Sequence, residues 1–260
     1  MTANLAYMPS ARGVRMPKSL TETQDAQGRL MNDFFKGRDV SEIIQRDDGF
    51  IEANPVSMYF RTFRQWPRIE RDAMNYVRGR VLDVGCGAGR HSLYLQQKKK
   101  LDVIGIDASP FAVKISKRRG LKKVKVMSFE NVSSKLGTFD TVIMMGNNFG
   151  LFHSFRRARL MLRRLHKVTG AGGRIVAETL DPYDTRDPDH LAYHRRNRRR
   201  GRMGGQIRMR ILYRKIATPW FDYLFVSRDE MEQLLQGTGW KARRVLGRGP
   251  SYVAVIEKMS

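Results

Sequence analysis

Residues Val81–His91 read V-L-D-V-G-C-G-A-G-R-H, a short apolar run that ends in three glycines at alternate positions. The run is typical of a buried strand, and an acid, Asp83, stands just before the turn. A glycine turn between a strand and a helix N-terminus lets a ligand lie against bare main chain. We therefore expect a binding cradle at Gly85, Gly87 and Gly89.

Two other glycine-rich nucleotide motifs fit this stretch less well. The dinucleotide fingerprint G-x-G-x-x-G has its last glycine where Arg90 stands here. A P-loop needs Gly-Lys followed by Ser or Thr, and the stretch has no such continuation. Both interpretations are disfavoured.

Short apolar runs alternate with helical segments from Val81 to Leu180, and two further runs follow near the end of the chain. Such an alternation is typical of a parallel sheet covered on both faces. The sequence therefore predicts an α/β fold with a doubly wound, mostly parallel seven-stranded sheet. The predicted strands are Val81–Val84, Leu101–Asp107, Val124–Met127, Phe139–Met145, Arg174–Leu180, Trp240–Leu246 and Tyr252–Glu257.

The stretch Asp83-Val-Gly-Cys-Gly-Ala-Gly89 resembles the first motif of the class I S-adenosylmethionine-dependent methyltransferases, and the likeness extends from about Arg80 to Leu180. The resemblance implies a Rossmann-like methyltransferase fold, S-adenosyl-L-methionine as cofactor and methyl transfer as the activity. It implies that Asp107, at the end of the second strand, accepts hydrogen bonds from the ribose hydroxyls. The cofactor contacts implied in this way are Asp83, Gly85, Cys86, Gly87, Gly89, Asp107, Ala108, Phe129, Glu130, Asn131, Gly146 and Asn147.

The acceptor side is less clear from the sequence. Asn147-Asn-Phe149 stands where methyltransferases of base amino groups carry Asn/Asp-Pro-Pro-aromatic, but neither proline is present, so base N-methylation is not implied. Asn147 and Asn148 either touch the acceptor or cofactor, or form a plain turn. His153 and Tyr183 are further catalytic candidates, and no general base is identified.

Metal and thiol chemistry are disfavoured. His190 and His194 have helical spacing beside Asp189, but the surrounding cations oppose a metal ion, so none is predicted. The chain has one cysteine, Cys86, which excludes an internal disulfide framework. Because that thiol lies inside the glycine turn, methylation of pyrimidine C5 through a cysteine nucleophile is also disfavoured.

Charge is the unusual bulk property: 49 Lys plus Arg stand against 25 Asp plus Glu, a formal net charge of +24. Acids are missing from Thr141 to Ala177 and from His190 to Phe221. The excess favours a polyanionic partner, although a compositional bias of the lineage would also produce it. We expect RNA, ribosomal or transfer, to contact segments 156–167 and 195–215. A small-molecule acceptor in a pocket closed by a flap is the alternative, and a non-catalytic cofactor-binding scaffold is the third.

The chain divides, by pattern, into a flexible tail (1–30), a helical cap (31–79) and a methyltransferase domain (80–260) with a basic insertion (181–217). Helical spacing predicts helices over Leu30–Ile44 and Pro55–Val77, and period-two alternation predicts a strand over Ile207–Tyr213. No apolar run is long enough to span a membrane and no secretory signal is evident, so we expect a cytoplasmic protein without a membrane partner. The oligomeric state is left open.

Overall fold

The computed structural model describes residues 19–259. Its helices and strands follow the chain in this order: α1 (Ala26–Phe35), β1 (Ser41–Arg46), β2 (Ile51–Pro55), α2 (Arg68–Ala73), β3 (Arg80–Val84), α3 (Arg90–Gln97), β4 (Asp102–Asp107), α4 (Pro110–Arg118), β5 (Val124–Val126), β6 (Phe139–Met144), α5 (Phe155–Lys167), β7 (Thr169–Leu180), α6 (Pro188–Arg199), β8 (Gln206–Tyr213), β9 (Ile216–Ala217), β10 (Phe221–Leu224), α7 (Arg228–Leu235), β11 (Trp240–Leu246) and β12 (Ser251–Lys258).

Seven of these strands form one sheet in the order β11-β12-β7-β6-β3-β4-β5. In this sheet β12 runs antiparallel to the other six strands, which are parallel to one another. The predicted doubly wound, mostly parallel seven-stranded sheet is confirmed, and so is the Rossmann-like methyltransferase fold.

The central strand β3 shows why the sheet must be covered on both faces. Leu82 and Val84 belong to one apolar cluster, whereas Val81 belongs to another, and all three are fully buried. Successive side chains of a strand point to opposite faces, so this uninterrupted apolar run needs helices on each side.

The predicted helical cap is wrong in part. The expected helix over Leu30–Ile44 begins earlier and ends at Phe35, because Gly37 follows with a φ of +85° and the chain turns into strand β1. The expected helix over Pro55–Val77 is instead two 3₁₀ turns, the short helix α2 and a third turn. Proline at 67 explains the break, since a proline can begin a helix but not lie within one.

The expected flexible tail over 1–30 overlaps helix α1. Residues 1–18 lie outside the described part, but α1 already begins at Ala26. Its N-cap, Asp25, is fully buried and accepts hydrogen bonds from the Gly28 N–H at 2.8 Å and the Ser109 hydroxyl at 2.7 Å. The cap helix is therefore fixed to the start of α4.

A second, antiparallel sheet has the order β10-β8-β1-β2, with β9 also paired to β8. The predicted strand over Ile207–Tyr213 is confirmed as β8, and it pairs with β1 of the cap. The polar segment before it, expected to be a flap, contains helix α6. Cap and basic insertion thus form a single layer, which packs on the main domain through a shared apolar cluster that includes Met31, Ala88 and Ile211.

Within residues 19–259 no helix is both long and apolar enough to cross a bilayer.

Candidate functional site

The glycine turn between β3 and α3 adopts left-handed backbone at Gly85, Gly87 and Gly89, with φ of +71°, +54° and +81°. A Cβ at Gly85 would come within 2.6 Å of the Asn148 Nδ2, whereas one at Gly87 would point into open space, with Tyr59 Cδ1 the nearest atom at 3.9 Å. A Cβ at Gly89 would crowd the packing of α3 on α4. Of the three glycines, only Gly87 therefore has open space where a side chain would stand, and a ligand can occupy that space.

Asp107 ends β4 directly opposite this turn. Its carboxylate accepts hydrogen bonds from the Gly87 N–H and the Ser109 N–H, both at 2.8 Å. Burial raises the pKa of Asp107 to about 6, although both backbone hydrogen bonds oppose the shift. The carboxylate is thus held in one orientation at the rim of the turn.

A cavity of about 350 Å³ opens at the carboxyl ends of β3, β4, β6 and β7, where ligands bind in open α/β sheets. Both the main domain and the second sheet contribute to its walls. It is lined by Leu20, Gln27, Met31, Met58, Tyr59, Arg61, Glu70, Gly85, Cys86, Gly87, Ala88, Arg90, His91, Asp107, Ala108, Ser109, Met127, Ser128, Phe129, Met145, Gly146, Asn147, Asn148, Leu151, His153, Glu178, Ile211, Thr218, Pro219 and Phe221.

Most of the predicted cofactor contacts line this cavity, but four do not: Asp83, Gly89, Glu130 and Asn131. Asp83 is buried beneath the turn and accepts a hydrogen bond from the Ser92 hydroxyl at 2.6 Å. Burial raises its pKa to about 7. Asp83 therefore supports the turn from behind instead of facing the cavity.

Glu130 is turned away from the cavity by an ion pair. Its Oε1 lies 2.7 Å from Arg157 Nη1 on α5, and its backbone carbonyl accepts a hydrogen bond from Arg164. The preceding residue, Phe129, does line the cavity and is buried. The short 3₁₀ turn over 129–131 directs only its first side chain inward.

The two asparagines after β6 have different environments. Asn148 donates from Nδ2 to the carbonyls of Val84 and Gly85, both at 2.9 Å, and so fastens the glycine turn. Asn147 has a left-handed backbone, with φ of +64°, and its carbonyl accepts a hydrogen bond from the Tyr223 hydroxyl. Its side-chain Oδ1 is buried without a hydrogen-bond partner among the described residues. A buried, unsatisfied acceptor that lines a cavity is suited to a ligand donor.

Glu178, at the end of β7, faces the same region of the cavity. Its Oε2 accepts a hydrogen bond from the Gly146 N–H at 2.6 Å. Burial raises the pKa of Glu178 to about 7, and the nearby Glu70 carboxylate acts in the same direction. Glu178 is therefore a buried carboxyl that exchanges a proton near neutral pH.

Sequence reasoning missed a polar network that joins the cap to α3. Glu70 of α2 accepts from Arg90 Nη2 at 2.9 Å and lies 2.8 Å from His91 Nε2. All three line the cavity, and burial lowers the pKa of His91 to about 4. No sequence pattern signalled this contact, because the partners of Glu70 are set by how the cap packs on α3.

The other predicted catalytic candidates separate into two groups. His153 lines the cavity; its Nδ1 donates to the Asp222 carbonyl, and burial lowers its pKa. Tyr183 lies outside the cavity, where its hydroxyl donates to Glu230.

The histidine pair of α6 is used for packing. His190 meets the Phe50 ring edge-on and His194 meets the Tyr183 ring. Among residues 19–259 no group of three or more His, Cys, Asp or Glu is placed to hold a metal ion.

The strand order, the glycine turn and the acid at the end of the second core strand together define a Rossmann-like methyltransferase domain. A family model described as a methyltransferase domain matches residues 81–173. A S-adenosylmethionine-dependent methyltransferase from Bacteroides fragilis, solved with S-adenosyl-L-homocysteine, has a TM-score of 0.79 and 26% identity to this chain; the match covers 93% of this chain and 98% of that chain. The chain therefore has a methyltransferase domain over residues 81–173 and, over 93% of its length, the fold of an S-adenosylmethionine-dependent methyltransferase, and its cofactor is S-adenosyl-L-methionine.

Curated relatives match a shorter part of the chain. The tRNA U34 carboxymethyltransferase of Alcanivorax borkumensis is 34% identical over 133 residues, which cover 48% of this chain and 40% of that protein. The 2-heptyl-1-hydroxyquinolin-4(1H)-one methyltransferase of Mycobacteroides abscessus is 37% identical over 84 residues, 30% of this chain and 35% of that protein. The chain thus matches about two fifths or less of the length of these relatives.

The cavity fits the cofactor of this class. The space left by the missing side chain of Gly87 admits a ligand against main chain, and Asp107 presents a fixed carboxylate beside it for two hydroxyl donors. The unsatisfied Asn147 Oδ1 lies farther along the lining, after the end of β6.

Proposed function

We propose that this chain transfers a methyl group from S-adenosyl-L-methionine to RNA, with the accepting nucleoside in the cavity beside Asn147 and Glu178. The observation that carries the proposal is that the basic insertion, which helps to cover the cavity through Ile211 of β8, is strongly cationic: residues 181–217 hold eleven Lys and Arg against four Asp. The chain would then hold the cofactor in the turn and present its cationic surface to the nucleic acid.

Different parts of the cavity would serve the two substrates. The glycine turn and Asp107 would hold the cofactor, which supplies an electrophilic methyl group on a sulfonium. The acceptor would lie against Asn147, whose free Oδ1 accepts a hydrogen bond from an amino or hydroxyl group. Glu178 would receive the proton that such a group releases, since its raised pKa lies near neutrality. These residues orient the acceptor, and alignment alone removes much of the barrier to a displacement.

The cations that support an RNA acceptor lie mainly on α6. Arg195, Arg199 and Arg200 are exposed, and within residues 19–259 none of them has a carboxylate partner within 4 Å. RNA bases that are unstacked in loops can enter a pocket while phosphates remain on the surface. Relatives that act on tRNA match half of the chain, which agrees with this acceptor class.

The second predicted RNA-contacting segment, 156–167, contributes less. Arg157 pairs with Glu130, while Arg159 and Arg163 donate to backbone carbonyls of α7 and of the turn after it. These arginines fasten α5 to its neighbours within the domain. We therefore limit the proposed contact surface to the insertion and the cap.

One observation favours a small-molecule acceptor instead. Ile211 of β8, Thr218 and Phe221 of β10 cover the cavity, and Met31 and Met58 add apolar wall. A covered, largely apolar cavity of about 350 Å³ is within the usual range for sites of small ligands.

Incubation of the purified full chain with methyl-labelled cofactor separates the two acceptors. Total RNA and a metabolite extract from the same cells would be offered in parallel at several salt concentrations. We expect label in RNA, with affinity falling steeply as salt rises, by about 0.7 log units per log unit of salt for each single-strand phosphate contact. Nucleoside mass spectrometry would identify the methylated nucleoside. Salt-insensitive label confined to the metabolite fraction would overturn the RNA proposal.

A further inference from the structure

A second hollow, of about 540 Å³, lies between α1, the start of α4 and the turn that joins β8 to β9. Five cations line it: Arg29, Lys36, Arg38, Arg214 and Lys215. We call this site the cationic hollow. It combines residues of the cap and of the insertion, and none of its lining residues belongs to the cofactor cavity.

The only acid among the described lining residues, Asp33, is already engaged. Its carboxylate lies 2.8 Å from Arg38 Nη1 and 3.1 Å from Arg214 Nη2, and it accepts a hydrogen bond from the Tyr213 hydroxyl at 2.6 Å. Lys36 and Lys215 are exposed and, within residues 19–259, have no carboxylate within 4 Å. The hollow therefore keeps a strong positive charge that its own acid does not neutralise.

The inner wall of the hollow is apolar and aromatic. Phe111, Tyr213 and Ile216 contribute to it, and the Arg29 guanidinium lies 5.3 Å from the centre of the Phe111 ring. Aromatic and arginine surfaces stack with nucleobases, while surrounding cations contact phosphates. A simple anion site would not need this wall.

The turn at the edge of the hollow has an unfavourable backbone. Arg214 and Lys215 are the two residues between β8 and β9, and Arg214 has a φ of +54°. Glycine, asparagine and aspartate are preferred in such turns because a Cβ is disfavoured there. The sequence places two cations at this turn despite that cost, and one of them reaches Asp33.

Helix α1 separates the hollow from the cavity, and strand β8 runs along both sites, with Ile211 and Tyr213 on the same face. Helix α1 directs Gln27 and Met31 into the cavity and Arg29 and Lys36 into the hollow. Strand β8 likewise contributes Ile211 to the cavity, and its last residue lines the hollow. The two sites are thus separated by about the thickness of one helix, roughly 10 Å.

We propose that the cationic hollow binds a nucleotide of the RNA strand next to the nucleoside that enters the cavity, with its base against the aromatic wall and its phosphates among the cations. This inference rests on the proposed RNA acceptor. The hollow would fix which position of the strand reaches the cavity, because a phosphate contact sets register without reading sequence.

The test reverses the two unpaired lysines in the full chain, as Lys36→Glu with Lys215→Glu. The matched control reverses Lys99 and Lys122, which are exposed at the amino ends of β4 and β5, on the opposite edge of the sheet from the cavity. A fluorescent single-stranded RNA oligonucleotide serves as the probe for binding, with inorganic pyrophosphate as competitor and anionic lipid vesicles as a second polyanion. Calorimetry with S-adenosyl-L-homocysteine checks the cofactor cavity.

We expect the hollow variant to bind RNA at least about tenfold more weakly, with a salt slope smaller by about two, while the control changes little. Phe111→Leu should weaken RNA binding about fivefold or more and leave pyrophosphate competition unchanged, since only stacking is removed. Cofactor affinity should be the same in all variants.

The outcomes separate the two proposals. Equal RNA binding by the hollow and control variants would overturn the hollow while leaving an RNA acceptor in place. If the hollow variant loses RNA binding but the unmodified chain methylates no RNA, the hollow is supported as a nucleotide site, while the proposed function and the hollow's role in positioning an acceptor are overturned. Binding to vesicles or free pyrophosphate but not to RNA would overturn the hollow as a nucleotide site.

Discussion

Replacement of Asp107 by alanine tests the cofactor site most directly. The half-buried carboxylate accepts hydrogen bonds from the Gly87 and Ser109 N–H groups, both at 2.8 Å, and is the acceptor proposed for two ribose hydroxyls. Its removal leaves donors without a partner, each at a cost of about 1–3 kcal/mol unless water replaces the carboxylate. We expect the affinity for S-adenosyl-L-homocysteine to fall by about 1–3 kcal/mol, which is about 5- to 150-fold in Kd.

Isothermal titration calorimetry measures this change, and Asp102→Ala provides the matched control. Asp102 begins the same strand, at the opposite edge of the sheet, and makes only exposed ion pairs with Lys123 and Arg80. Thermal unfolding without ligand separates lost affinity from lost folding. A folded Asp107→Ala protein that binds the ligand as tightly as the unmodified chain would refute the assignment of the ribose to this residue.

The same carboxyl predicts a pH dependence. Burial raises the pKa of Asp107 to about 6, and the hydroxyl donors prefer the ionised form. Cofactor affinity should therefore be highest above pH 6 and fall as the pH drops through about 6. Asp107→Asn cannot ionise, so its weaker affinity should vary less over that range. An identical pH profile for the variant and the unmodified chain would assign the dependence to another group.

Three further predictions concern the rest of the site. Gly87→Ala and its control Gly120→Ala both add a Cβ at positive φ with no contact closer than 3.8 Å, so each variant should lose about 1–2 kcal/mol of folding stability. Only Gly87→Ala should also abolish cofactor binding, as measured by calorimetry. Burial raises the pKa of Asp83 to about 7, so its contribution to the stability of the cofactor-free protein is complete below about pH 4 and is lost as the pH rises through 7. Denaturant unfolding at about pH 5 and pH 8 measures this loss. Relative to the unmodified chain, Asp83→Asn should gain about 2–3 kcal/mol of stability at the higher pH. Asn147→Gly keeps the left-handed backbone and removes only the amide, so kcat/KM should fall by about 3- to 10-fold at unchanged cofactor Kd.

Each of these has an opposing result. Equal cofactor affinities of the two glycine variants would show that the space at Gly87 is not used by the ligand. A stability difference for Asp83→Asn that is independent of pH would mean that this carboxyl is ionised at neutral pH in the folded protein. Unchanged turnover of Asn147→Gly would remove its amide from the acceptor site.

The main sheet could be predicted from the sequence because each of its strands is encoded by a short stretch of consecutive residues. Each strand is a short apolar run, and Asp83, Gly85 and Asp107 stand at fixed places relative to those runs. For this reason the sequence indicates that Asp107 lies near the glycine turn, and in the structure it lines the cavity beside Gly87. The place of Asp83 could not be predicted, since a motif specifies that an acid precedes the turn but not whether its side chain passes behind it.

The cover of the cavity could not be predicted, because it depends on pairing between distant segments. Ile44 of β1 lies opposite Ile211 of β8, and an apolar pattern in either segment does not identify its partner. Helical spacing in the cap was therefore extended past Gly37 into a strand. The Glu70–Arg90 pair was missed for the same reason, as its members meet only after the cap has folded onto α3.

The pairing of β1 with β8 has a consequence for the order of events during synthesis. The ribosome releases β1 early, but its second neighbour in the sheet emerges only after the whole run from β3 to β7 has been made. Until Phe221 leaves the exit tunnel, the cradle of the glycine turn has an open top, and the part of α1 that packs on β8 is uncovered. Cofactor would thus be able to reach the cradle before translation brings the last piece of its enclosure.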